Sequence, residues 1–337
     1  MRRVILTVPL VLVVGCGGLA TEGPSPSPAA RMTVGIVYAA GGRGDKSYNE
    51  SAAFGLDKAR AEFGLRAKEL AAGLRDSDAQ RAQRFRLLAE SGCDPVIGVG
   101  FIHATAVKTV AAEFPRVRFA IVDDNSARAP NITNLLFADN EGSFLVGAAG
   151  ALKSRTGKLG FIGGADVPHI RTYEVGYRAG ATHVKPKVRI QVKYLSKGPD
   201  LSGFRDPALA GTVAHDMYQS GVDIIYQVAG RSGSGVFEAA LAQERWAIGS
   251  ISDQAKTATP SVRENILTSM VKKIDVAVFD FIASVVRGKV RAGPITYDLK
   301  AGAIDYTTTG SHIRDFVPRL NALKRQIING TIKVPTG

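Results

Sequence analysis

Cysteine is nearly absent. The 337 residues hold 2, Cys16 and Cys93, too few for a disulfide framework and too far apart for a paired metal or redox motif. The 5 histidines (His103, His169, His183, His215 and His312) are scattered and form no H-E-x-x-H pair, so no zinc site is indicated. No G-x-S-x-G elbow offers a serine nucleophile. Nor is there an apolar run of about 20 residues, the length a helix needs to span a bilayer. Acidic residues are the scarcer charge, 30 against 43 Lys and Arg, for a net charge of +13. The basic residues are dispersed, not clustered with aromatics as in a nucleic-acid platform. What remains is ordinary globular composition, 45% hydrophobic and 22% charged, which excludes a disordered chain, a collagen and a polytopic membrane protein. At roughly 150 residues per domain the length predicts about two domains.

The first residues read as an address. Arg2 and Arg3 precede an apolar run over residues 4–14, the build of a secretory signal peptide. The run ends in Leu12-Val13-Val14-Gly15-Cys16, which resembles a bacterial lipobox and implies a signal over 1–15 and lipid on Cys16. Residues 17–31 (GGLATEGPSPSPAAR) have almost nothing to pack and read as an extended tether. A folded body is expected from near Met32, with Cys93 as a small buried apolar residue.

That body alternates strands and helices. Short Val- and Ile-rich runs at 33–38, 95–99, 118–122, 158–162, 189–194, 223–228 and 246–250 predict buried strands. Helix-length stretches separate them, and Ile274, Val278, Phe281, Ile282 and Val285 mark one face of a late helix. Such alternation predicts parallel sheets covered by helices, hence two α/β lobes. Ligands of these sheets bind outside the carboxyl ends of the strands, so the informative residues are those following each strand. They include Asp45, Lys46, Tyr48 and Asn49, then Asp123 and Asp124, then Gly230 and Arg231, then Asp253 and Gln254, and finally Lys272. A small polar ligand with a flat face suits that set.

Near-matches to phosphate loops fail. Residues 42–47 (GRGDKS) place Ser47 where a dinucleotide fingerprint needs its third glycine, and Asp45 where a P-loop needs glycine. A strand-to-helix turn with Ser47 as cap fits better. His103 is expected as a half-exposed residue at a helix start.

The segments Asp45-Lys46-Ser47-Tyr48-Asn49, residues 137–147 (FADNEGSFLVG), Tyr226-Gln227-Val228-Ala229-Gly230, Ser252-Asp253-Gln254 and Ser269-Met270-Val271-Lys272 occur in an order that resembles the basic membrane lipoprotein family. These are lipid-anchored nucleoside-binding components of bacterial ABC importers. The resemblance implies a type I periplasmic-binding-protein fold, two doubly wound parallel-sheet lobes joined by a hinge. It assigns 32–137 with about 254–287 to the first lobe and 138–253 with about 288–337 to the second. It further implies that Tyr48 and Tyr226 cover the two faces of a base, and that Asp253 and Lys272 serve the ribose. Asn49 and Asp123 would meet the ligand's polar edge, with Asp45, Gly230 and Arg231 completing the site. The implied partners are a nucleoside-like small molecule, an ABC permease and a membrane held through the lipid. The chain is expected on the extracytoplasmic face, as a monomer without cofactor, catalytic residues or nucleic acid. Two positions depart from the family pattern. Ala39 stands where an aspartate reads the base edge, and Arg231 replaces a glycine, which leaves the identity of the ligand open. Two alternatives stand beside this reading. One is a secreted α/β enzyme acting on nucleosides, which requires a metal-ligating aspartate cluster; the other is a ligand sensor of the same fold.

Overall fold

A computed structural model describes residues 32–73 and 75–336. The expected signal peptide, Cys16 and the expected tether lie outside the described residues. The strands are β1 (Thr33–Tyr38), β2 (Arg66–Ala71), β3 (Val96–Gly98), β4 (Phe119–Val122), β5 (Ile132–Phe137), β6 (Lys158–Gly163), β7 (Arg189–Tyr194), β8 (Ile224–Val228), β9 (Trp246–Ile251), β10 (Ile266–Lys272), β11 (Gly293–Tyr297) and β12 (Ile304–Tyr306). They form two six-stranded sheets, ordered β11-β5-β4-β3-β1-β2 and β12-β10-β9-β8-β6-β7. Every pairing is parallel except that of β12 with β10. Helices cover both faces, as continuous apolar strands require. Among the described residues, no helix is long and apolar enough to cross a membrane.

The expected lobe boundaries need correction. The stretch from Gln254 onward was assigned to the first lobe, but β10 continues the second sheet, pairing Ser269 with Gly249 and Met270 with Ser250 of β9. Its side chains Leu267 and Met270 join that lobe's core. Conversely, β11 falls in the range given to the second lobe yet pairs with β5 of the first sheet. The chain therefore crosses between sheets after Phe137, after Lys272 and after Tyr297. After the second crossing, helix Ile274–Val286 buries its stripe of Ile274, Val278, Phe281 and Ile282 against helix Tyr48–Phe63 in the first lobe.

In the second lobe, helices Asp139–Lys153 and Pro168–Val184 touch backbone to backbone. A methyl group on Gly180 would overlap the Phe144 carbonyl, and one on Gly147 the Tyr177 carbonyl. Neither carbonyl can yield without moving a helix. Gly180→Ala should therefore cost about 1–3 kcal/mol of stability, measured by urea denaturation, with the larger effects coming from overpacking at such a contact. A variant as stable as the parent would refute that close packing.

Two smaller expectations divide. Cys93 is free and fully buried, as its surroundings suggested. His103 is buried too, not half-exposed: it packs edge-on to Phe85, with Nε2 3.3 Å from the Tyr38 carbonyl oxygen. Burial pushes its pKa down to about 3, so it stays neutral.

Candidate functional site

Lys272, the last residue of β10, places its side chain where the lobes meet. Its Nζ donates to Asp123 Oδ1 at 2.6 Å, Asp139 Oδ2 at 3.0 Å and Tyr173 Oη at 3.2 Å. The three charged side chains are 0%, 1% and 2% exposed for Lys272, Asp123 and Asp139. Aromatic rings finish the enclosure, with the ammonium 4.6 Å from the Phe137 ring centroid. Each partner comes from a different element. Asp123 directly follows β4 in the first sheet, Asp139 opens helix Asp139–Lys153, and Tyr173 lies on helix Pro168–Val184.

Asp123 gathers further groups. Tyr48 donates its hydroxyl to Asp123 Oδ2 at 2.6 Å, and His169 Nε2 stands 3.5 Å from the same oxygen. Asp123 holds this position with a positive φ of 64°. Ile251 at the end of β9 (φ 71°) and Lys46 (φ 54°) share that left-handed conformation. For a β-branched residue such as Ile251 this is strained backbone, a cost that clusters at functional sites.

The electrostatics follow from enclosure. Burial pushes the Asp123 carboxyl up, but the Lys272 ammonium and His169 outweigh it and hold the group well below the usual carboxylate range. Asp139 is pushed up: burial and repulsion from Asp123 exceed the pull of the shared ammonium. Burial drives the Tyr48 and Tyr173 phenols well above their ordinary value, reinforced by Asp123 and Asp139 respectively. Asp123, Asp139 and His169 lie close enough together to ligate a cation, and the Lys272 ammonium already bridges the two carboxylates.

Asp253 differs in kind. Its Oδ2 accepts from Thr309 Oγ1 at 2.6 Å and lies 3.3 Å from Lys256 Nζ. Its Oδ1 is buried with no hydrogen-bond partner among the described residues. Such a carboxylate oxygen is unsatisfied until something donates to it.

Other expected site residues are placed differently. Asp45 is occupied as a helix cap: its carboxylate accepts from the backbone N–H of Ser47 at 2.9 Å, Asn49 at 2.8 Å and Glu50 at 3.0 Å. Ser47, the expected cap, makes no side-chain cap bond. Asn49 is buried and accepts from the Ala39 N–H at 3.0 Å, tying the helix to the end of β1. Tyr226 belongs to the core and covers no ligand face. It is fully buried mid-strand in β8, 5.1 Å from the Tyr177 ring and 5.7 Å from that of Phe161, with its hydroxyl 3.3 Å from Ser143 Oγ. Phe204 is the aromatic that lies near the end of β8, 3.5 Å from the position a Gly230 Cβ would take. Gly230 and Arg231 are exposed and line, with Lys46 and Gln254, a cleft of about 470 Å³ between the lobes.

Sequence reasoning missed Asp139, His169 and Tyr173. Asp139 alone had a signal. It follows the carboxyl end of β5, whose Ile132–Phe137 run was not read as a strand.

Two parallel-sheet α/β lobes with polar side chains converging at the strand ends have the architecture of the type I periplasmic-binding-protein fold. Solved structures share this fold. A solute-binding protein of an ABC transporter system from Aeropyrum pernix superposes with a TM-score of 0.78 at 27% identity, covering 91% of this chain and 94% of that one. Residues 32–337 match the family described as Bmp, ABC transporter substrate-binding protein PnrA-like, and the chain belongs to that family. Among its relatives, the ABC transporter nucleoside-binding protein BmpA of Lactococcus lactis is 31% identical over 97% of this chain and 95% of its own length. The CD4+ T-cell-stimulating antigen of Listeria monocytogenes is 32% identical, over 90% and 88%. Basic membrane protein A of Borreliella burgdorferi is 29% identical, over 100% and 96%.

Proposed function

We propose that this substrate-binding protein captures a nucleoside or nucleoside-like ligand between its lobes and delivers it to the permease of an ABC importer. We propose also that lipid on Cys16 anchors it at the extracytoplasmic face. The observation that carries the ligand reading is Asp253 Oδ1, a buried acceptor with no donor among the described residues, beside a strand end. A ribose diol supplies paired donors, and one carboxylate can take both. The nucleoside-binding relative from Lactococcus lactis supports the same ligand class. Tyr48, whose hydroxyl bonds Asp123, lies at the same strand ends and is the aromatic on which a base would stack.

Closure has its contacts ready. Lys272–Asp123 and His169–Asp123 bridge the lobes, and Ser252 Oγ donates across the cleft rim to the Lys46 carbonyl at 3.2 Å. A ligand entering the site exchanges part of this network for its own donors, and the closed surface is what a permease recognises.

Titration calorimetry over purine and pyrimidine nucleosides, bases and nucleotides tests the reading. Saturable heat with at least one nucleoside, and none with free ribose, is expected; silence across the panel overturns it. For the anchor, incorporation of a labelled lipid precursor should be lost in Cys16→Ser.

A further inference from the structure

The rim of the cleft carries a charge that the nucleoside reading does not use. The lobes face each other across the 470 Å³ space through residues 41–47 of the first and 230–258 of the second. Three cations line it. Arg43 is spent, paired with Asp57 at 2.9 Å and Glu69 at 2.6 Å. Lys46 and Arg231, one from each lobe, are exposed and meet no carboxylate among the described residues. The carboxylate of the lining, Asp45, has both oxygens turned to the backbone N–H groups it caps. On the second-lobe wall, Arg231 and Ser234 stand at the start of helix Gly233–Ala242, whose first turn has no acidic residue and no side-chain cap. The groups at that helix start are spoken for: the Gly233 N–H donates to the Gly230 and Arg231 carbonyls, the Ser232 N–H to the Ala229 carbonyl, and Ser234 Oγ to the Arg231 carbonyl. The unspent group of this wall is the Arg231 guanidinium, which faces the Lys46 ammonium of the other lobe across the cleft. The first-lobe helix start is likewise answered, by Asp45, so what the rim offers is free positive charge on both walls.

We propose that this rim pocket receives an anionic substituent of the ligand, making a nucleoside monophosphate the preferred class over the bare nucleoside. Position supports this. The pocket is lined by Gln254 and Ser47, the neighbours of Asp253 and Tyr48, so it adjoins the nucleoside site. A guanidinium binds phosphate with paired donors, and Lys46 adds a point charge from the other lobe. The substituent thus bridges the lobes and favours their closure.

The inference rests on the nucleoside reading, and calorimetry separates the two. Adenosine, inosine and uridine are each titrated beside the 5′-monophosphate, with inorganic phosphate alone as a further arm. In at least one pair the monophosphate is expected to bind about tenfold tighter, which is the worth of one charge-assisted contact. That ratio should collapse toward one in the Arg231→Gly, Lys46→Ala double variant, and shrink in about 0.5 M salt. Nucleosides that bind with no gain from the phosphate, or a gain that survives the double variant, overturn the inference and leave the nucleoside reading standing. Inorganic phosphate competing as strongly as the monophosphate also overturns it, since the pocket would then be a free-anion site. If neither member of any pair binds, both readings fall.

Discussion

Lys272→Met should destabilise the unliganded protein by about 3–5 kcal/mol at neutral pH, because it strands two buried carboxylates that share one ammonium. Methionine fits the volume but offers nothing to Asp123 or Asp139. The pH dependence distinguishes this cause from a packing defect. In the parent, Asp123 has a depressed folded pKa, so its contribution is present at neutral pH and is lost as pH falls through the acidic range. Asp139 is raised and works the other way: its protonated form is favoured by folding, so it contributes at acid pH and less as pH rises. Without the ammonium, both carboxyls are left to burial and mutual repulsion, and both folded pKa values rise above the unfolded ones. Between pH 7 and about pH 4.5 the variant must then gain more stability than the parent, in which Asp139 alone of the two gains and Asp123 keeps its contribution until the pH falls below the ordinary carboxyl range. Urea denaturation at pH 7 and at about pH 4.5, near the ordinary carboxyl range, should show the deficit shrinking. A deficit under about 1 kcal/mol at pH 7, or one that is equal at both pH values, defeats this account of Lys272.

Much of this arrangement was legible because parallel sheets put function at strand ends. Reading the residues after each strand brought out Asp123, Asp253 and Lys272, and all three lie between the lobes or beside their cleft. The failures have physical causes. A motif does not say which face of a strand a side chain takes: Tyr226 and Gln227 are adjacent, yet the first points into the aromatic core and the second bonds Gln254 at 2.7 Å. Edge strand β2, sequence RAKELA, lacks the apolar run of a buried strand and could not be seen by pattern. Crossings between lobes carry no local signature. β9 and β10 read alike whether or not the chain changes sheet between them, so the boundary was set too early. His169 and Tyr173 were invisible because helix Pro168–Val184 brings them to Asp123 and Lys272 only through its glycine-mediated contact with helix Asp139–Lys153. That contact is tertiary, and no spacing along the chain encodes it.

Asp253→Ala should abolish nucleoside binding while leaving the unliganded melting temperature nearly unchanged, the reverse of the balance expected at Lys272. The difference lies in what each group already has. Lys272 has all its donors engaged inside the protein, and removing it leaves partners without compensation. Asp253 engages only one oxygen, with Thr309 and with Lys256, whose side chain is 72% exposed. Its removal frees Thr309 for water and deletes a buried acceptor that folding leaves unsatisfied. The two costs are small and of opposite sign. In the proposed complex the same carboxylate would accept from two ribose hydroxyls, and each hydrogen bond to a charged group is worth about 1.5–3 kcal/mol. Losing both removes roughly 3–6 kcal/mol, a drop in affinity of about 10² to 10⁴. Calorimetry with the best-bound nucleoside, beside thermal melts without it, reads both quantities on one preparation. Binding weakened less than about tenfold would mean the ribose is held elsewhere. A melting temperature that fell as far as in Lys272→Met would make Asp253 a structural residue, and its unpaired oxygen would no longer indicate a ligand.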